Sequence, residues 1–328
     1  RSSALAMSLD AVVMTVDVHM VCLAHALSSE TEEIMGLLLG DVKTEENSTV
    51  AHIWGLSLHM RSDRREDRVE IHPEQLAAAA AEAERLTQTL GMTTRVIGWY
   101  HSHPHITVLP SHVDVKTQGQ YQMLDDGFIG LIFSVFTQEA NKTGRIQVTA
   151  FQSLCIDENG NEVPTNMSRT GSAEGDGATD PQGGIDSAIG SQRFYQQKEV
   201  NLSFQPSNPA QHTAALQPLV DLQRILLREE KDSYHASLHR RADGGRGCGG
   251  KCDSSGTGIE VHPLQALHSA AVYQKVLCRL MELSSIPLLY TLESRSEANR
   301  RKLKLLEEEE KALLNEIQLT ESTEIGLS

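Results

Sequence analysis

Basic charge is scarce in this chain of 328 residues. Its 29 Lys and Arg stand against 44 Asp and Glu, giving a formal net charge of −15 and a pI near 5.4. That balance argues against a surface made to bind nucleic acid directly or to sit on anionic membrane. No apolar run approaches the ~20 residues of a membrane span. The charged-then-apolar layout of a secretory leader is also missing, so none is expected. Aromatic residues make up only 4% of the chain. Cysteine is sparse, and the 5 present (Cys22, Cys155, Cys248, Cys252, Cys278) are scattered and odd in number, which does not suggest a disulfide framework and fits a reducing compartment, cytoplasm or nucleus. Cys248 and Cys252 form C-x3-C in a Gly-rich stretch, and without a second ligand pair a flexible loop is the better reading than a metal site. Cys22 with nearby His25 could be drawn as a thiol-protease pair, but its apolar helical surroundings favour a buried structural cysteine.

What is present suits one large or two small globular domains, with 39% hydrophobic residues to build a core. Arg1 to Ala6 precede Met7 and are set aside as a cloning remnant. Residues 17–28 read as a helix, with Asp17 as its N-cap. Ile34–Leu39, closed by Gly40, and Val50–Leu58 read as strands, and the charged Arg61–Arg68 as a loop, either plainly solvated or an insertion that meets substrate. Pro73 opens an Ala- and Glu-rich helix ending near Gly91. Phe128–Phe136 and Ile146–Leu154 are two further strands. Strands interleaved with helices in this way predict an α/β fold, a mixed sheet sandwiched by helices.

Beyond residue 158 the composition shifts. Residues 159–193, rich in Gly, Ser, Asp and Pro, read as a disordered linker. A strand near Val200–Phe204 and a helix running from about Leu219 to about residue 240 follow, within a segment 194–243. A Gly-rich loop at 244–258 then separates this segment from C-terminal helices at 259–320 and a tail at 321–328. The last helix carries a heptad seam through Leu289, Leu292, Ser296, Asn299, Leu303, Leu306, Glu310, Leu313 and Ile317. Such a stripe predicts a coiled coil, with a partner or with a second copy, and the polar breaks are of the kind that fix register. The alternative is a helix docked on its own domain.

The chemistry concentrates at Val96–Pro104 and the residues after it. An apolar strand ends in His101-Ser102-His103-Pro104, and side chains two apart on a strand share a face, so the two imidazoles point the same way. Pro104 then turns the chain off the sheet. Ser111-x-x-Asp114 opens the next helix, over residues 112–124, and places Asp114 in its first turn. Read alone, His-Ser-His could be two loop histidines and Ser111-x-x-Asp114 a capping box. Together, two imidazoles and a carboxylate make three N/O ligands that leave a fourth tetrahedral position open, the pattern of a catalytic zinc.

His101-Ser102-His103, seven residues, then Ser111-x-x-Asp114 resembles in full the motif of the JAMM (MPN+) zinc metalloproteases. The stretches Asp67–Ile71, Gly98–Val108 and Tyr121–Met123 are similar to the branch of that family that cleaves lysine-63-linked ubiquitin chains. The resemblance implies an MPN+ catalytic core at residues 7–158, completed by 194–243 and followed by a C-terminal helical, coiled-coil region. It implies one Zn2+ per chain held by His101, His103 and Asp114, with Glu33 as general base and acid and Ser111 as donor to the oxyanion. It also implies polyubiquitin as substrate, an Abraxas-like partner whose own MPN domain is inactive, further complex subunits, and a role in DNA repair. A catalytically silent MPN scaffold would lack part of this residue set. A zinc deaminase would carry H-x-E and P-C-x-x-C, which are absent.

Overall fold

The computed structural model describes residues 8–45, 48–60, 72–138, 143–156, 194–243 and 263–325. The Arg61–Arg68 loop, the whole 159–193 linker, and the Gly-rich 244–258 stretch with Cys248 and Cys252 lie outside the described residues, as do residues 1–6. The chain forms two compact units, residues 1–273 and 274–328.

In the first unit the described strands are β1 (Ala11–Thr15), β2 (Met35–Glu45), β3 (Ser48–Leu58), β4 (Arg95–Pro104), β5 (Ile129–Gln138), β6 (Gly144–Ile156) and β7 (Phe194–Gln205). They hydrogen-bond in the order β1-β3-β2-β4-β5-β6-β7, and β1 pairs in parallel with both β3 and β7, which closes the sheet on itself. The expected mixed sheet is therefore present. Its closure is new, because β1 is only five residues long and runs straight into a helix, leaving no separate signal. β4 and β5 run parallel at the centre and are buried along nearly their whole length, as near-continuous apolar strands require.

Helices α1 (Val16–Ala26), α2 (Pro73–Leu90), α3 (His112–Gln122) and α4 (Pro209–Asp243) surround the sheet. α2 starts with Pro73 after His72, whose backbone N–H donates to Gln75 Oε1 (3.1 Å), and ends at Gly91 in a left-handed conformation (φ 66°). Its buried stripe, Ala79, Ala83 and Leu86, packs into clusters with Leu37, Trp99, Phe128, Ile132 and Phe151 and with Leu39. The assignment of Asp17 as the α1 N-cap needs correction. Thr15 holds that position without a side-chain bond, while Asp17 is fully buried in the first turn. His212 Nδ1, on α4, donates to Asp17 Oδ2 (2.7 Å), so this carboxylate joins two helices rather than ending one.

In the second unit, the end of α5 (Pro263–Leu280) passes through a π-helical turn at Met281–Ser285 into α6 (Ile286–Ile325), 40 residues long. Leu289, Leu303, Leu306, Leu313 and Ile317 of the heptad seam are all exposed along α6.

Gly98 marks a close approach of β4 to β5, since a Cβ there would lie 2.5 Å from the Ile129 carbonyl oxygen. Gly98→Ala is expected to destabilise the protein by about 1–3 kcal/mol through overpacking against a backbone that cannot yield. Gly144→Ala, with nothing within 4 Å of the added methyl, should stay within about 0.5 kcal/mol. Chemical denaturation of the two variants measures the difference.

Candidate metal centre

β4 brings the two histidines to the site. Trp99, His101 and His103 alternate onto one face, and all three are buried. The Trp99 indole stacks on His101 (centroids 4.7 Å apart, planes 18° apart), which fixes that imidazole's plane. His103 Nδ1 donates to the Thr107 carbonyl (2.7 Å), so the neutral ring keeps its proton on Nδ1 and presents the Nε2 lone pair.

α3 brings the carboxylate. Ser111 N donates to Asp114 Oδ2 (2.7 Å) and Asp114 N donates to Ser111 Oγ (3.2 Å), a reciprocal cap. The cap reading of Ser111-x-x-Asp114 is thus realised, and the same geometry turns Asp114 Oδ1 toward His101 Nε2 (3.4 Å). The helix is set against the sheet by a buried amide network. Trp99 Nε1 donates to Gln118 Oε1 (2.7 Å), and Gln118 Nε2 donates to Gln122 Oε1 (3.0 Å) and to the Phe128 carbonyl (2.8 Å). Gln122 completes it through the backbone of Ser153. The sequence placed both glutamines on a helix without assigning them a role. Their four-residue spacing on the side of Val115 was the one available signal.

Three groups converge. His101 Nε2 lies 3.1 Å from His103 Nε2 and 3.4 Å from Asp114 Oδ1, and His103 Nε2 lies 3.5 Å from Asp114 Oδ2. Four ligands held about 2.0–2.1 Å from a tetrahedral zinc would stand about 3.3 Å from one another, so the observed spacing fits the ion. Proton counting agrees. With His103 a lone-pair donor and Asp114 ionised, the neutral cluster has at most one N–H, on His101, to share among several acceptors, and a cation resolves the deficit.

Electrostatics follow the same geometry. Burial opposes ionisation of Asp114, but interactions with the His101 and His103 rings, favourable to the carboxylate when an imidazole is protonated, and the Ser111 bond outweigh it and hold the carboxyl well below its usual range. Burial likewise opposes protonation of His103, yet Asp114, the Thr107 carbonyl and the nearby Glu33 carboxylate together raise its pKa.

Glu33 sits just before β2, half-buried and close enough for its charge to act on His103. It is not one of the three converging groups. Its segment is tied on one side by His105 Nε2 to Glu30 Oε1 (3.3 Å) and on the other by Ile34, whose N–H donates to Ser102 Oγ (3.0 Å). Ser102, between the two histidines, was not singled out by the sequence reading. The thiol-protease alternative fails. Cys22 is fully buried, its thiol pKa is pushed up by desolvation, and His25 Nδ1 shares a hydrogen bond with the Tyr100 hydroxyl (2.9 Å).

The two shifts predict opposite pH trends in the metal-free chain. His103, raised when folded, adds stability that is fully present below its unfolded pKa and lost as pH rises through the folded value. Asp114, depressed when folded, adds stability present above its unfolded pKa and lost as pH falls through the folded value. Zinc requires the neutral His103 ring, so affinity for zinc should fall as pH drops below the raised value. Thermal midpoints from about pH 5 to about pH 9, with chelator and with zinc, are expected to slope in opposite directions in the His103 range. A His103→Gln protein should lose both slopes.

A family model described as JAB1/Mov34/MPN/PAD-1 ubiquitin protease matches residues 7–127, and one described as BRCC36 C-terminal helical domain matches residues 215–313. The chain is 40% identical over 312 residues to the Lys-63-specific deubiquitinase BRCC36 of Xenopus tropicalis, covering 95% of this chain and 98% of that protein. The Homo sapiens protein of the same name is 37% identical over 321 residues, covering 90% of this chain and 92% of its own. With both domains matched and relatives this similar over nearly their full length, the chain belongs to the BRCC36 branch of the JAB1/MPN ubiquitin-protease family, as an MPN-domain isopeptidase with a C-terminal helical domain.

Proposed function

We propose that the chain is a zinc-dependent deubiquitinase that hydrolyses the isopeptide bond of lysine-63-linked polyubiquitin as the catalytic subunit of a multi-protein complex. The observation that carries this reading is the convergence of His101, His103 and Asp114 at tetrahedral-edge spacing beside Glu33 and Ser111. The names of the BRCC36 relatives supply the linkage.

His101 Nε2, His103 Nε2 and the Asp114 carboxylate would hold the ion, which when bound supplies Lewis acidity and makes water nucleophilic near neutral pH. Glu33 takes the proton of the attacking water and passes it to the leaving lysine amine, acting first as base and then as acid. The Ser111 hydroxyl spends one lone pair on Asp114 N and keeps its O–H to donate to the oxyanion of the attacked carbonyl. The Thr107 carbonyl and the Trp99 stack hold the imidazoles in place throughout.

The partner is an Abraxas-like protein with an inactive MPN domain and its own coiled coil, together with further complex subunits. The exposed leucines of α6 support this, since a lone amphipathic helix gains most of its stability from packing. Contact between the MPN domains would order the Glu33 segment, which otherwise lies in a loop. The unbridged thiols of Cys22 and Cys278 suit a reducing compartment, cytoplasm or nucleus.

Glu33→Ala should keep about one zinc per chain and lose about 10²–10⁴-fold in cleavage of lysine-63-linked di-ubiquitin. Zinc lost in proportion to activity would make Glu33 a ligand instead. Wild-type chain should turn over poorly alone and gain at least about tenfold with the partner, as expected when a base is brought into position. Equal turnover with and without the partner, from a chain that is monomeric by light scattering, would reject the partner role.

A further inference from the structure

Ser102 occupies the position between the two imidazoles, and its side chain does something the motif's ligands do not. It is fully buried, as is Ile34 opposite it on the incoming end of β2. Ser102 N donates to the Ile34 carbonyl (3.0 Å), and Ile34 N donates to Ser102 Oγ (3.0 Å). In a regular antiparallel pair two residues exchange N–H···O=C bonds in both directions. Here the hydroxyl stands in for one carbonyl, and the peptide of residue 34 is held at both ends by a single residue of β4.

The position along the chain gives this clamp its consequence. The β2–β4 ladder ends at Met35 opposite His101, and Ile34 is the next residue out, with Glu33 directly beyond it. The Ser102 bonds are therefore the last buried anchor before Glu33. Two further ties on this segment are Glu32 N to Ser29 Oγ (3.2 Å), which stays within the segment, and Glu30 to His105, whose side chains are 36% and 53% exposed. A solvent-washed pair of that kind holds position weakly, whereas the Ser102 bonds are buried and join the segment to β4.

We infer that Ser102 is a positioning residue for Glu33: its buried hydroxyl fixes the peptide after Glu33 and thereby sets the carboxylate against the face that carries His101 and His103. One tripeptide of β4 thus places two ligand imidazoles on one side and registers the proton carrier through the other. The inference rests on the reading of Glu33 as that proton carrier.

The test uses the full-length, zinc-loaded chain assembled with the Abraxas-like partner, and lysine-63-linked di-ubiquitin as substrate. Ser102→Ala should lower kcat by about 10–100-fold, as expected for a base displaced by about 1 Å, with KM and zinc content unchanged. Backbone hydrogen exchange should quicken in residues 32–35. Ser102→Thr, which restores a hydroxyl, should return kcat to within about threefold of wild type, since the bond to Ile34 N is remade. In a Glu33→Gln background, adding Ser102→Ala should change the residual rate by less than about twofold, because a residue acting through another has nothing left to act on.

If Ser102→Ala does not fold, Ser102→Cys keeps the volume with a weaker acceptor and should shift kcat and exchange in the same direction. Wild-type kcat in Ser102→Ala, zinc loss that tracks activity, or full additivity with Glu33→Gln would each overturn the inference. Wild-type turnover in Glu33→Gln itself would overturn the underlying reading. Inactive Glu33→Gln with fully active Ser102→Ala would overturn the positioning role alone.

Discussion

An ionised carboxylate facing two imidazoles with too few protons to go round is the constraint on which the site depends. Asp114 is largely buried, and removing such a charge from water costs several kcal/mol unless it is paired. The fold holds it there all the same, between His101 and His103, with the serine cap behind it. Without metal, a proton on His103 relieves the crowding, which is why that ring's pKa rises. With a cation, the same acceptors become ligands. The arrangement is therefore pre-organised for an ion and under electrostatic tension without one.

The scaffold that enforces this is a buried polar network inside an otherwise apolar sheet. Trp99 contributes twice, stacking on His101 and donating to Gln118, so one residue couples the height of β4 to the register of α3. Gln118 then satisfies the Phe128 carbonyl just ahead of β5, and Gln122 the Ser153 carbonyl of β6. Fully satisfied networks of this kind specify a unique geometry, whereas a partly satisfied one would leave expensive orphans. Removing either glutamine would loosen Asp114 without touching it.

The site was legible to the extent that it is local. That His101, His103 and Asp114 could meet followed from strand alternation and a helix start, both short-range rules, while the choice of ligand over cap came from the family resemblance; the 3,4 repeat of α6 was readable from spacing alone. Ser111-x-x-Asp114 fits a cap and a ligand alike, and the structure forms the cap while turning the carboxylate toward both imidazoles. Glu33 could be singled out only by resemblance, because an acid before a strand has no local pattern of its own. The rest depends on contacts far apart in sequence. The buried carboxylate of Asp17 looks like a cap until its partner His212 appears, 195 residues away. β1 gains its meaning only from β3 and β7 on either side. Ser102 looks like a spacer between histidines until β2 is laid beside it.

The central claim is that His101, His103 and Asp114 form one zinc site, and anomalous scattering at the zinc edge from crystals of the full chain tests it most directly. The account predicts one peak per chain, about 2.0–2.1 Å from His101 Nε2 and His103 Nε2 and bounded by the Asp114 carboxylate. A zinc-loaded crystal with no peak there, or with its peak between Cys248 and Cys252 instead, would contradict it.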